Sequence, residues 1–125
     1  MTEYEIGSLL SETFDHSSGI FEYWMTLSFA AVVAAAFAAE KLHRNYIRLL
    51  AFGYFLASLF LFLVRIYSSL QALDLLEMLE AGGYDTTRFD NSFGLLVGVY
   101  AHVLHVIVTF GVLVYMLRVN RAENE

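Results

Sequence analysis

Three apolar blocks dominate the chain: residues 19–39 (GIFEYWMTLSFAAVVAAAFAA), 46–69 (YIRLLAFGYFLASLFLFLVRIYSS) and 92–117 (SFGLLVGVYAHVLHVIVTFGVLVYML). Each reaches the roughly 20 residues that an α-helix needs to cross a hydrocarbon core about 30 Å thick. Backbone polar groups of an unpaired strand would stay unsatisfied in lipid, so all three are predicted to be helices. Beyond the second block, Leu70, Leu73, Leu76 and Leu79 keep a helical period between Asp74, Glu77 and Glu80. The second helix is therefore expected to run on to about 81 and to stop at Gly82-Gly83, where a left-handed cap costs little. Ile6, Leu9, Leu10 and Phe14 share one face, which predicts a short separate amphipathic helix ahead of the first span. Asp90, Asn91 or Ser92 can cap the third. The fold class is thus an all-α integral membrane protein of three transmembrane helices, read as one membrane domain over residues 1–125, with no repeat or linker.

Composition sharpens this picture. Of 125 residues 58% are hydrophobic and 16% charged, well above the apolar share of a soluble globule. The absence of cysteine removes disulfide frameworks, zinc ribbons, iron–sulfur clusters and thiol nucleophiles. A net charge of −6 with no basic arm argues against nucleic acid as a partner. Residues 1–18 carry Glu3, Glu5, Glu12 and Asp15 without Lys or Arg, so they lack the positive region of a cleaved signal peptide. Lys41, Arg44, Arg48, Arg118 and Arg121 fall on one side of the three spans, whereas Arg88 is the lone base outside a span on the other, with ten of the thirteen acids there or at its membrane edge. The positive-inside rule then places the N-terminus outside and the C-terminus in the cytoplasm of a bacterial inner membrane.

An ionisable residue inside a span is a functional candidate by default, and four qualify: Glu22, Arg65, His102 and His105. Glu22 and Arg65 both fall near the outer ends of their blocks, within about a turn of the interface, where they either pair or snorkel separately. In the third block Gly94, Gly98, Ala101, His105, Thr109, Val112 and Met116 recur at three- and four-residue steps and form one packing stripe, with His102 on its flank. It opens on a GxxxG that predicts close helix approach. Small residues mark further packing faces, Ala30 and Ala34 in the first span and Gly53 and Ala57, in line with Leu61 and Arg65, in the second. Phe52, Phe55, Leu59, Phe62 and Ile66 lie opposite and are expected to face lipid. Tyr23, Trp24, Tyr46, Tyr67 and Tyr115 are expected as an interfacial aromatic belt.

The bland role for His105 is an interhelical hydrogen bond to Ser58, Thr26 or a carbonyl. The sharper one is a b-type haem, for which imidazole is a usual axial ligand. Two histidines at i and i+3 leave a helix on the same side, and His16 and His43 lie outside the spans at opposite ends, so bis-His ligation needs a second copy or another subunit. No metal site is expected, since a pair of histidines leaves a tetrahedral zinc site incomplete. No hydrolase, P-loop, zinc-protease or kinase motif is present, and no Pro breaks the spans as transporters often require. In size and span number alone the chain resembles the small anchor subunits of respiratory complexes such as succinate dehydrogenase. No motif residue carries over, and the outside N-terminus departs from that pattern.

The function expected from sequence is a small non-enzymatic membrane protein without a cofactor, a homo-oligomer or an accessory subunit of a larger membrane complex. One alternative is an oligomeric proton or ion conduit with His102, His105 and Thr109 on a shared axis. The other is a haem-bearing electron-transfer anchor.

Overall fold

A computed structural model describes residues 1–39, 41, 44–87 and 92–122, with side chains described for all of these except 92–95 and 120–122. Asp90 and Asn91 as caps, Arg88, His43, the surroundings of Gly94 and the side chain of Arg121 lie outside the described residues. The described residues form three helices, α1 (Glu3–Ala39), α2 (Arg44–Ala81) and α3 (Ser92–Ala122). All three are long and apolar enough to cross a membrane.

The separate amphipathic helix expected at the N-terminus is not found; α1 is one 37-residue helix. A capping box starts it. The Thr2 hydroxyl accepts from the Glu5 amide (3.2 Å) while the Glu5 carboxylate accepts from the Thr2 amide (2.7 Å), satisfying two donors that the first turn leaves open. Asp15 to Gly19 looks like a break, but the stretch holds no proline, and a mid-helix glycine costs only about 1 kcal/mol. Tertiary packing outweighs that. Ile6 and Leu10 are buried against Ala72 and Leu79 of α2, with Leu75 and Leu76 beside them, whereas Leu9 and Phe14 stay exposed. Half of the expected amphipathic face, Ile6 and Leu10, thus covers the neighbouring helix.

Helix α2 runs 38 residues, about 57 Å at 1.5 Å per residue, and ends at the glycine pair. Gly83 has φ +75°, the left-handed value that glycine adopts without strain. The Tyr84 amide donates to the Leu79 carbonyl (3.1 Å) and the Gly83 amide to the Glu80 carbonyl (2.9 Å), closing a Schellman motif. The Tyr84 ring folds over Gly82 so closely that a Cβ there would sit 2.6 Å from it.

Three apolar clusters hold the bundle. Ile6, Leu10, Ala72 and Leu79 join α1 to α2 at the acidic end, where Glu3, Glu5, Glu77 and Glu80 lie. Ala35, Ala51, Tyr54, Val112 and Met116 join all three helices further along. Ala38, Ala39 and Ile47 pack with Val119 at the other end, which gathers Lys41, Arg44, Arg48 and Arg118 at one end of the bundle.

The buried face of α2 is Ile47, Ala51, Tyr54, Ser58, Arg65, Ser68, Ala72 and Leu79, a three-and-four spacing rotated from the small-residue face expected from sequence. Gly53 is exposed and Ala57 half-buried; Phe62, expected in lipid, is half-buried and turned to the histidines. The reason is polar. Tyr54 and Ser58 carry hydroxyls that find partners inside the bundle, whereas an exposed Gly or Ala leaves no side-chain polar group unpaired.

Candidate polar cluster in the bundle core

Among the described residues six polar side chains are buried: Ser28, Ser58, Arg65, Ser68, His105 and Thr109. Three of them meet at one level with Trp24. The Trp24 indole N–H donates to the Ser58 hydroxyl (3.1 Å) and, more weakly, to that of Thr109 (3.3 Å). Ser58 Oγ and Thr109 Oγ1 lie 2.7 Å apart. His105 Nε2 lies 3.1 Å from the Ser58 carbonyl and 3.0 Å from its hydroxyl. A carbonyl only accepts, so Nε2 carries the proton and Nδ1 is left as a lone pair, buried and without a hydrogen-bond partner. The Trp24 ring stacks on the imidazole at 4.2 Å and 17°, and Phe62 closes its edge at 5.1 Å. One side chain from each helix thus locks the other two.

Trp24 was missed as a site residue. Its type suggested the interfacial belt, yet it is 2% exposed, while Tyr23, Tyr46 and Tyr67 do face outward. The sequence carried part of the signal, an indole N–H that needs an acceptor when buried, but not the register that brings it level with Ser58 and Thr109.

The other candidates separate from this cluster. His102 Nδ1 donates to the Gly98 carbonyl of its own helix (2.7 Å), and its ring meets the edge of Phe62. Thr26 likewise bonds its own helix, at the Glu22 carbonyl (3.0 Å). A Cβ at Gly98 or Gly53 would meet nothing within 4 Å, so neither marks a close approach within the chain. Ala101 is half-buried, and Ala30 and Ala34 are exposed beside an apolar groove of about 340 Å³ that reaches Leu50 and Gly53. Of the third-span stripe, His105, Thr109, Val112 and Met116 are buried.

Glu22 and Arg65 are not paired. Arg65 is buried, its guanidinium 4.9 Å over the Phe21 ring with Nε and Nη1 lacking hydrogen-bond partners, whereas Glu22 points outward. The depths also differ. Ser68 donates to the Thr13 carbonyl, Trp24 meets Ser58 and Ser28 meets Tyr54, so Glu22 stands level with residues 59–60 of α2, the middle of block 46–69. Sequence placed it within a turn of the edge because the apolar block begins at Gly19, but the register is set by polar contacts between helices.

Chemically the cluster is a closed knot. Ser58 and His105 have the spacing of a nucleophile and base, but Nε2 donates rather than accepts. Among the described residues no carboxylate is bonded to Nδ1, and His105 lines neither the apolar groove nor an open cleft of about 550 Å³ formed by Glu12, Thr13, His16, Ser68 and Asp74. No group of three or more metal-ligating side chains forms among the described residues. Comparison with protein families, curated proteins and solved structures finds no match.

The knot makes an energetic prediction. His105→Leu should lower stability by about 1–2 kcal/mol, the range for interhelical hydrogen bonds, and His105→Gln, which keeps a donor, by less. Denaturation of the purified protein in detergent, followed by helix content, measures both. Equal stability of His105→Leu and the parent would show that the bond contributes nothing.

Proposed function

We propose that the chain is a non-enzymatic integral membrane protein that serves as an accessory subunit of a larger membrane assembly. The observation that carries this reading is the direction in which its polar groups point. Ser28, Ser58, Thr109 and His105 are spent on one another or on Tyr54 and Trp24 inside one three-helix bundle, whereas most of the apolar surface faces outward. A conduit or ligand site needs polar groups lining open space; a sealed knot fixes the packing of a small scaffold instead. The conduit reading would need His105 on an axis shared between copies, and the haem reading would need Nε2 unengaged. The geometry of the knot supports neither.

The location proposed is a bacterial inner membrane with the acidic end outside and the basic end, carrying Lys41, Arg44, Arg48 and Arg118, in the cytoplasm. Native mass spectrometry of the complex extracted in lipid discs tests the role, and a reporter fused after residue 125 tests the orientation. The expected results are a mass that includes a different polypeptide and a reporter active only in the cytoplasm. A homo-oligomer of this chain alone would overturn the first, and a reporter active only outside would overturn the second.

A further inference from the structure

The interhelix register leaves one charge in an awkward place. Arg48 and Arg118 lie toward one end of the bundle, and Glu22 is level with residues 59–60, so it stands about 18 Å along α2 from Arg48 at 1.5 Å per residue. In a hydrocarbon core about 30 Å thick that is close to the centre. Glu22 is exposed on the outer face of α1, among Tyr23 and Phe29, which are 72% and 73% exposed. Its carboxylate makes no hydrogen bond or ion pair among the described residues, and Thr26, one turn on, spends its hydroxyl on the Glu22 carbonyl.

A carboxylate facing acyl chains is expensive, and such groups normally face protein and meet an opposite charge. Among the described residues none is in reach. Arg65 is sealed inside the bundle over Phe21, His102 is held by its own helix, and Lys41, Arg44, Arg48 and Arg118 sit at the far end. A second copy brings the same set with the same restriction. Glu22, Thr26, Phe29 and Val33 follow one another at steps of four, three and four, so they form a single face along α1.

We propose that this face docks a transmembrane helix of a different protein, one that carries a Lys or Arg near mid-membrane to meet Glu22. The inference rests on the accessory-subunit reading and names the partner's chemistry: an apolar helix with one basic side chain at matching depth. Phe29 and Val33 supply the apolar contact, and Glu22 sets the register, because a base elsewhere along the partner would strand both charges.

Photocrosslinking in native membranes tests this, with benzoylphenylalanine placed at Phe29 and, as a second position, at Leu50 in the groove on the other side of α1. The expected result is a Phe29 adduct with one other protein, at a peptide inside a span that contains Lys or Arg. Glu22→Gln should weaken its yield about threefold to tenfold, the span of interhelical polar contacts in membranes, and Glu22→Lys should abolish it. Unchanged helix content of Glu22→Gln in the membrane fraction confirms that the loss is not misfolding. Adducts only with lipid or with another copy, or a yield indifferent to Glu22→Gln, overturn the proposal. A Leu50 adduct with another protein and none at Phe29 would leave the accessory reading standing and remove this one; no protein adduct at either position removes both. A second readout is independent of the partner's identity. Dicyclohexylcarbodiimide, which enters lipid and modifies carboxyl groups exposed there, should label Glu22 in the purified protein in phosphatidylcholine vesicles but not in native membranes. Equal labelling in both, or in neither, counts against a basic partner.

Discussion

Trp24→Ala should destabilise the protein by roughly 3–5 kcal/mol, the range for emptying a buried aromatic site. Trp24 is 2% exposed, stacks on His105 at 4.2 Å, meets Phe21 at 5.3 Å, and donates its only polar hydrogen to Ser58 and Thr109. Its loss removes packing between all three helices at once. In lipid that packing is the main force holding helices together, since burying apolar surface away from acyl chains gains little. Trp24→Phe separates the two contributions: most of the volume stays, the N–H goes, and the cost should fall to about 1 kcal/mol. Denaturation in detergent followed by helix content measures both, and because Trp24 is the single tryptophan, its fluorescence reports on the same site in the parent protein. A Trp24→Ala protein within about 0.5 kcal/mol of the parent would mean that the ring faces lipid, as its residue type first suggested.

Local features proved legible in the sequence, and relations between helices did not. The run of α2 from the second block through Leu79 and its stop at Gly82-Gly83 follow from period and from the conformational freedom of glycine, both local properties. The same local reading broke α1 at Asp15 to Gly19, because the partner that holds Ile6 and Leu10 down is more than 60 residues away. Glu22 and Trp24 stand level with the middle of the second block rather than its end for one reason: hydropathy places a residue relative to its own block, whereas the level in the bundle is set by which hydroxyl meets which donor. Ser58 and His105 belonged to a short set of compatible partners; that Trp24 covers them required the register.

Within the chain, the helix faces chosen by residue size are not the buried ones, and the proposed membrane setting supplies a reason. Ala30, Ala34 and Gly53 flank an open groove, while Ser28, Tyr54 and Ser58 turn inward. In water a small-residue face and an apolar face compete for the core on hydrophobicity. In lipid that competition vanishes, and an unsatisfied hydroxyl decides the rotation of the helix. Counting hydroxyls and indoles along each face would have ranked Tyr54 and Ser58 ahead of Gly53 and Ala57.

Leu10→Asp is expected to open the acidic end of the bundle while leaving the rest folded. Helix α3 begins at Ser92, 13 residues before His105, whereas α2 continues 21 residues past Ser58 to Leu79, so α1 and α2 extend as a pair beyond the third helix. Their contact there is small: Ile6, Leu10, Ala72 and Leu79, with Leu75 and Leu76 at the side. Leu10 is fully buried at its centre, and an unpaired carboxylate in its place costs several kcal/mol, more than so small a cluster supplies. The pair should separate locally, because regions with few buried contacts open as units below the global stability. Amide hydrogen exchange should rise over residues 3–11 and 71–81 and stay unchanged around Trp24, Ser58 and His105. Leu9→Asp is the control. Leu9 is 41% exposed beside the open cleft, so the same charge one residue earlier should leave exchange as it was. Equal exchange for Leu10→Asp and the parent would show that α1 does not pack on α2 in this region, and that the N-terminal segment lies apart from the bundle as its amphipathic pattern alone implied.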